Sequence, residues 1–66
     1  MTYFAGIDVG STYTKAAIIS ELEGLVGTGM QPTGFKLEAA ASETLEQALQ
    51  VTGLDRDSVQ YVASTG

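Results

Sequence analysis

Apolar and polar positions divide the chain into four short apolar segments and one longer amphipathic segment, separated by polar turns. Residues 3–9 are mostly apolar and partly β-branched, and Gly10 ends the run, so we predict a strand that is buried on both faces. Residues 14–19 and 25–30 predict two further strands, the second weakened by its glycines. Short connections favour antiparallel neighbours among these three strands, because parallel pairing needs a long crossover.

The amphipathic segment begins beyond a break at residues 32–34 and predicts an α-helix. Its apolar or small positions recur at helical spacing, at Leu37, Ala41, Leu45, Ala48, Leu49 and Thr52. We expect the face from Leu37 to Leu49 to be core and not part of a site. Glu38 suits the positive N-terminal end of the helix dipole, and Gly53 suits the position just after the helix.

The order of elements is therefore β-β-β-α-β, with a fourth strand at residues 59–63. The helix is a crossover that can bring the fourth strand parallel to the first, and a right-handed connection is expected. The predicted fold class is α/β, a three-strand antiparallel meander plus a parallel fourth strand. The chain reaches a loop at residues 64–66 without a closing helix, so we expect residues 1–66 to be the N-terminal fragment of an incomplete domain.

Composition excludes several classes of protein. The chain has 66 residues and a formal net charge of −5, with neither Cys nor His, so disulfides and an ordinary zinc site are excluded. The cations Lys15, Lys36 and Arg56 stand far apart in sequence, which argues against nucleic acid and against an anionic membrane surface. No run of about 18 apolar residues predicts a membrane span. We expect a cytoplasmic protein.

The turn between the first two strands carries the most chemical information. Gly10 lets a ligand approach the backbone, and the amides of Gly10, Ser11 and Thr12 can form a nest for an anion. The hydroxyls of Ser11 and Thr12 add donors, and Lys15 supplies a positive charge for a β- or γ-phosphate. Asp8 needs a cationic partner beside phosphates, and we expect Mg²⁺ held through water.

The same residues also fit an ordinary hairpin turn in which Asp8 accepts hydrogen bonds from turn amides. Turn chemistry alone does not separate the two interpretations. Two details favour the phosphate site. A charged Asp directly after an apolar strand is costly without a partner, and Lys15 is followed by four apolar residues. Catalysis by a Ser–His or Cys–His pair is excluded, because the chain has no His and no Cys.

This turn resembles the first phosphate motif of the superfamily that contains actin, sugar kinases and chaperone ATPases. The motif has the form Asp-x-Gly-Ser/Thr-x-x-x-Lys, and Asp8, Gly10, Ser11 and Lys15 fit it. The β-β-β-α-β order is also similar to the first half of the N-terminal domain in that superfamily. The resemblance implies half of an actin-like ATPase domain of the ribonuclease H-like class.

A narrower resemblance is to the BadF/BadG/BcrA/BcrD-type ATPases, which include the activators of 2-hydroxyacyl-CoA dehydratases and the ATPase subunits of benzoyl-CoA reductase. It rests on residues 6–15, on residues 32–37 and on residues 61–66. In the family, the pair equivalent to Thr65 and Gly66 continues as Tyr-Gly-Arg.

The family resemblance implies an ATPase that drives low-potential electron transfer to an acyl-CoA dehydratase or reductase component. It implies ATP and Mg²⁺ in the full-length parent, and a [4Fe–4S] cluster between two subunits of a dimer, whose cysteine ligands lie further along the chain. Asp8 is carried over as the catalytic and Mg²⁺-orienting residue. The nucleotide-binding residues carried over are Gly10, Ser11, Thr12, Lys15, Thr65 and Gly66.

Two alternatives stay open. The parent could be a sugar or metabolite kinase of the same superfamily, which would show a catalytic Asp and no paired cysteines downstream. The chain could also be a small non-catalytic interaction module, which should fold stably alone. Under the ATPase interpretation we expect no activity from this fragment by itself, because half of the nucleotide cleft is missing.

Overall fold

The computed structural model describes residues 2–65 as one four-stranded sheet with a single helix on one face. The elements are β1 (Tyr3–Val9), β2 (Tyr13–Ser20), β3 (Gly24–Pro32), α1 (Leu37–Thr52) and β4 (Val59–Thr65), with a short 3₁₀ turn (Arg56–Ser58) before β4. The predicted order β-β-β-α-β is confirmed. The second, third and fourth strands are each longer than their apolar segments, because pairing continues into the polar residues that flank them.

The strand order in the sheet is β3-β2-β1-β4. β1 and β2 are antiparallel, as are β2 and β3, while β4 lies parallel to β1. The predicted fold class, an antiparallel meander with a parallel fourth strand, is therefore confirmed. β1 and β3 run in the same direction, and α1 carries the chain back along the sheet, so β4 runs parallel to β1.

The core lies between α1 and one face of the sheet. Its buried members are Ala5, Ile7, Ala16, Ile18, Leu45, Ala48 and Leu49. The prediction that the first strand is buried on both faces is wrong for the part of the chain described. The side chains of Phe4 and Asp8 point to the second face and are exposed. The described residues supply one α-helix, so one face of the sheet stays open among them.

Two glycines of β3 allow α1 to lie close to the sheet. A Cβ on Gly29 would stand 2.6 Å from the carbonyl oxygen of Thr44, and one on Gly27 would collide with the side chain of Thr52. The sequence suggested only that these glycines weaken the strand. Their structural role is to remove side chains where helix and strand backbones meet.

The predicted end of the helix is confirmed, whereas its predicted face is only partly right. Gly53 has a φ of 76° and donates its amide proton to the Leu49 carbonyl, which closes the helix. Leu37 is 56% exposed, so its assignment to the core is wrong, while Ala40 and Thr44 are buried instead. Within residues 2–65, the helix is not long and apolar enough to cross a bilayer.

Candidate functional site

The candidate site lies at the edge of the sheet where β1 and β4 both end. These strands are parallel, so their carboxyl ends meet, and in open α/β sheets ligands bind beyond such ends. The turn of residues 10–12 follows β1 at this edge, and the first turn of α1 lies beside it. A cleft of about 400 Å³ is lined by Val9, Gly10, Ser11, Leu37, Glu38, Ala41 and Ser64.

The pairing of β1 with β2 brings Asp8 and Lys15 together. They are direct partners in the antiparallel register, on the open face of the sheet, and both side chains are exposed. They line a second cleft, of about 590 Å³, together with small residues such as Gly6, Ala17 and Ala63. A carboxylate and an ammonium group thus lie on directly paired residues beside a shallow cleft lined mainly by small residues.

Gly10 closes the turn. Its amide donates to the carbonyl of Tyr13 over 3.0 Å, and a Cβ at this position would stand only 2.8 Å from that oxygen. The amide of Gly10 is therefore engaged within the turn, and its place in an anion nest stays a prediction. The predicted need for glycine holds for a different reason, which is the close approach of two backbone segments.

The structure divides the predicted residues into two groups. Asp8 and Lys15 line the cleft on the open face, while Gly10 and Ser11 line the cleft beside α1. The exposed side chains of Ser11 and Thr12 stand on the turn that separates the two clefts. A ligand that contacts every predicted residue must therefore wrap around the end of β1 and the turn that follows it.

The fourth strand contributes to the same edge. The backbone of Thr65 is the register partner of Asp8, so this position of β4 lies next to the predicted metal-orienting residue. Ser64, the partner of Ile7, is exposed and lines the cleft beside α1. Gly66 lies outside the described residues.

The sequence did not identify Thr33, which holds the turn of residues 10–12 in place through hydrogen bonds. Its amide donates to the Thr12 carbonyl at 3.0 Å, and its hydroxyl donates to the Gly10 carbonyl at 2.7 Å. The Thr33 hydroxyl also lies 2.9 Å from that of Thr14, and both side chains are buried. Its position could have indicated this role. Thr33 directly follows β3, and because β3 runs antiparallel to β2, the end of β3 returns to the turn that precedes β2.

The residues present fit a magnesium-bound nucleotide in part. The exposed carboxylate of Asp8, the neighbouring Lys15 and the exposed hydroxyls of the turn suit Mg²⁺ that keeps its water shell and is shared with phosphates. Among the described residues, no group of three potential metal ligands could hold an ion alone. An iron–sulfur cluster does not fit, because this sequence contains no cysteine.

The fold and the site edge define an actin-like ATPase fold, and comparison with solved structures supports this class. The chain superposes on component A of the (R)-2-hydroxyglutaryl-CoA dehydratase of Acidaminococcus fermentans with a TM-score of 0.87 and 23% identity. That match covers 100% of this chain and 25% of the other.

Two further relatives specify the resemblance. An activator of lactoyl-CoA dehydratase from Anaerotignum propionicum is 31% identical over 97% of this chain and 24% of its own length. An activator of the 2-hydroxyisocaproyl-CoA dehydratase from Clostridium difficile, solved with bound ADPNP, is 33% identical with a TM-score of 0.80, over 97% of this chain and 24% of that one. No family model matches the chain.

The resemblance to activators of 2-hydroxyacyl-CoA dehydratases is thereby confirmed. The chain spans about a quarter of the length of these relatives.

Proposed function

We propose that this chain is the N-terminal, phosphate-binding part of a cytoplasmic ATPase that activates an acyl-CoA dehydratase or reductase. In this proposal, ATP hydrolysis drives the transfer of a low-potential electron to that partner enzyme. The observation that carries the proposal is the pairing of Asp8 with Lys15 at the edge where β1 and β4 end. This pair lies beside the turn of residues 10–12, which hydrogen bonds from Thr33 hold in place. The likeness to an activator solved with bound ADPNP supports it.

Each residue of the edge has a separate part in the proposal. Lys15 neutralises phosphate charge, and the hydroxyls of Ser11 and Thr12 donate to phosphate oxygens. Asp8 orients the water shell of Mg²⁺, which supplies charge stabilisation to the phosphoryl group during hydrolysis. Catalysis of this kind is mainly positioning and electrostatics, so the site needs no nucleophilic side chain.

The test of this site is the Asp8→Asn variant of the full-length protein. We expect ATP turnover to fall by about a hundredfold or more, since an amide cannot replace the charge of the carboxylate toward Mg²⁺. The matched control is Asp57→Asn, which makes the same change at an exposed position of the 3₁₀ turn before β4. Turnover by Asp8→Asn equal to that of the control would contradict the proposed role.

The electron-transfer part of the proposal concerns residues beyond this chain. We propose that the reading frame continues after Gly66 with Tyr-Gly-Arg, a second Asp-x-Gly motif and two separated cysteines that hold a [4Fe–4S] cluster in a dimer. Sequencing the source DNA past that codon tests this directly. A continuation with a catalytic Asp and no paired cysteines would favour a sugar or metabolite kinase, and an immediate stop codon would favour an interaction module.

A further inference from the structure

We propose that Thr33, supported by Thr14, is a positioning residue that sets the backbone of the turn of residues 10–12 for phosphate binding. The inference rests on the proposed nucleotide-binding function and adds to it a residue outside the phosphate motif. Thr33 directly follows β3, and 23 positions separate it from Gly10, to whose carbonyl its hydroxyl donates. No spacing rule of the motif includes it.

Thr33 holds the turn at two points. Its hydroxyl donates to the Gly10 carbonyl and its amide donates to the Thr12 carbonyl, at 2.7 and 3.0 Å. Ser11 is the residue between these two anchored carbonyls. The turn is therefore fixed on both sides of Ser11, whose side chain is exposed, and neither peptide can rotate without breaking a hydrogen bond.

The hydroxyl of Thr14 fixes the direction of the Thr33 hydroxyl. A threonine has one hydroxyl proton, and that of Thr33 is used toward the Gly10 carbonyl, so Thr14 must be the donor in the 2.9 Å contact. Both side chains are buried, at 0% and 4% exposure, where water competes little. Valine has nearly the same shape as threonine, so packing alone does not require two hydroxyls here.

Peptide geometry gives this arrangement a consequence for ligand binding. The described chain has no cis peptide bond, and in a trans peptide the carbonyl and the following amide point in opposite directions. The Gly10 carbonyl points at Thr33, so the amide proton of Ser11 points away from Thr33. The turn therefore presents the Ser11 amide, and not the Gly10 amide, to an incoming phosphate.

The experiment compares Thr33→Val with Thr33→Ser and with Thr44→Val in the full-length protein. Thr44 is a matched control, because it is a buried threonine whose hydroxyl donates to the Ala40 carbonyl within α1, away from the turn. Two quantities are measured: the dissociation constant of Mg²⁺–ADPNP, and amide hydrogen exchange of the turn without nucleotide.

We expect Thr33→Val to weaken ADPNP binding about tenfold and to accelerate exchange in the turn, since the half-buried Gly10 carbonyl loses its donor. Thr33→Ser, which keeps the hydroxyl, should bind within about twofold of the wild type, and Thr44→Val should leave both quantities unchanged. Equal affinity and exchange for Thr33→Val and Thr44→Val would overturn the positioning role alone. A wild-type protein that binds no ADPNP would overturn the proposed function, and the positioning role with it.

Discussion

At the residue scale, the turn after β1 shows how a glycine can be required without a positive φ. Gly10 is not among the glycines with positive φ, which are Gly24, Gly34 and Gly53. Its requirement comes from the carbonyl of Tyr13, which occupies the space where a Cβ would be. The same contact uses the Gly10 amide, so this glycine closes the turn both by its hydrogen bond and by its lack of a side chain.

The Gly10→Ala variant should therefore destabilise the full-length protein by about 1–3 kcal/mol, because the turn must open and its hydrogen bond is lost. The free energy of unfolding in urea measures this change. Gly6→Ala is the matched control, since a Cβ at Gly6 would meet no atom within 4 Å. A loss for Gly10→Ala no larger than for Gly6→Ala would show that the turn accommodates a side chain.

At the scale of elements, the hydrophobic period of α1 predicts which side of the helix is buried but not where along the helix the burial ends. The 3.6-residue period identifies which side of α1 faces the sheet, and Leu45, Ala48 and Leu49 are buried as it predicts. The period does not say how far a helix extends beyond the sheet that covers it. Leu37 keeps the right angular position but lies at the sheet edge, where it lines the cleft beside Ser11.

Two leucines of one helix should consequently differ in their effect on stability. Leu45 is fully buried, and Leu45→Ala should lower the free energy of unfolding by about 2–5 kcal/mol through lost burial and the cavity left behind. Leu37→Ala, the same change at a 56% exposed position, should stay within about 0.5 kcal/mol. Urea unfolding of both variants checks this, and similar losses would mean that Leu37 is covered after all.

The candidate site was predictable where it depends on local sequence, and not where it depends on tertiary contact. Asp8 and Lys15 are seven positions apart on two strands joined by a tight turn, so their pairing follows from the hairpin itself. Thr33 joins the turn only because β3 returns along β2, which no local pattern records. The orientation of the Gly10 amide likewise depends on turn geometry that residue types do not specify.

At the scale of the whole molecule, the sheet has one covered and one open face. The open face carries Phe4 and Ile19 next to Ala17, and no described element of this chain packs against it. The sequence predicted burial on both faces because the first strand is mostly apolar. That apolar pattern agrees with the proposal that further parts of a longer protein cover this face.

Residues 1–66 prepared alone should therefore self-associate, because an exposed apolar sheet face and two strand edges favour contact between copies. Sedimentation velocity across a dilution series measures the association. Ile19→Thr should reduce it, since Ile19 is 44% exposed on the open face. Leu22→Thr is the control, at a 78% exposed position in the turn after β2, and should change nothing. A chain that stays monomeric at every concentration would support the interaction-module alternative.

The strand order β3-β2-β1-β4 also has a consequence for the time course of folding. The meander joins neighbours in sequence, whereas β4 must pair with β1 across more than fifty intervening positions, as in the partners Asp8 and Thr65. Contacts between distant positions form slowly, because the chain must lose the entropy of closing the loop before these contacts stabilise it. During synthesis the hairpin with Asp8 and Lys15 can therefore form while β4 is still unmade. Among these four strands, the edge that we propose holds the nucleotide is the last to assemble, when β4 pairs with β1.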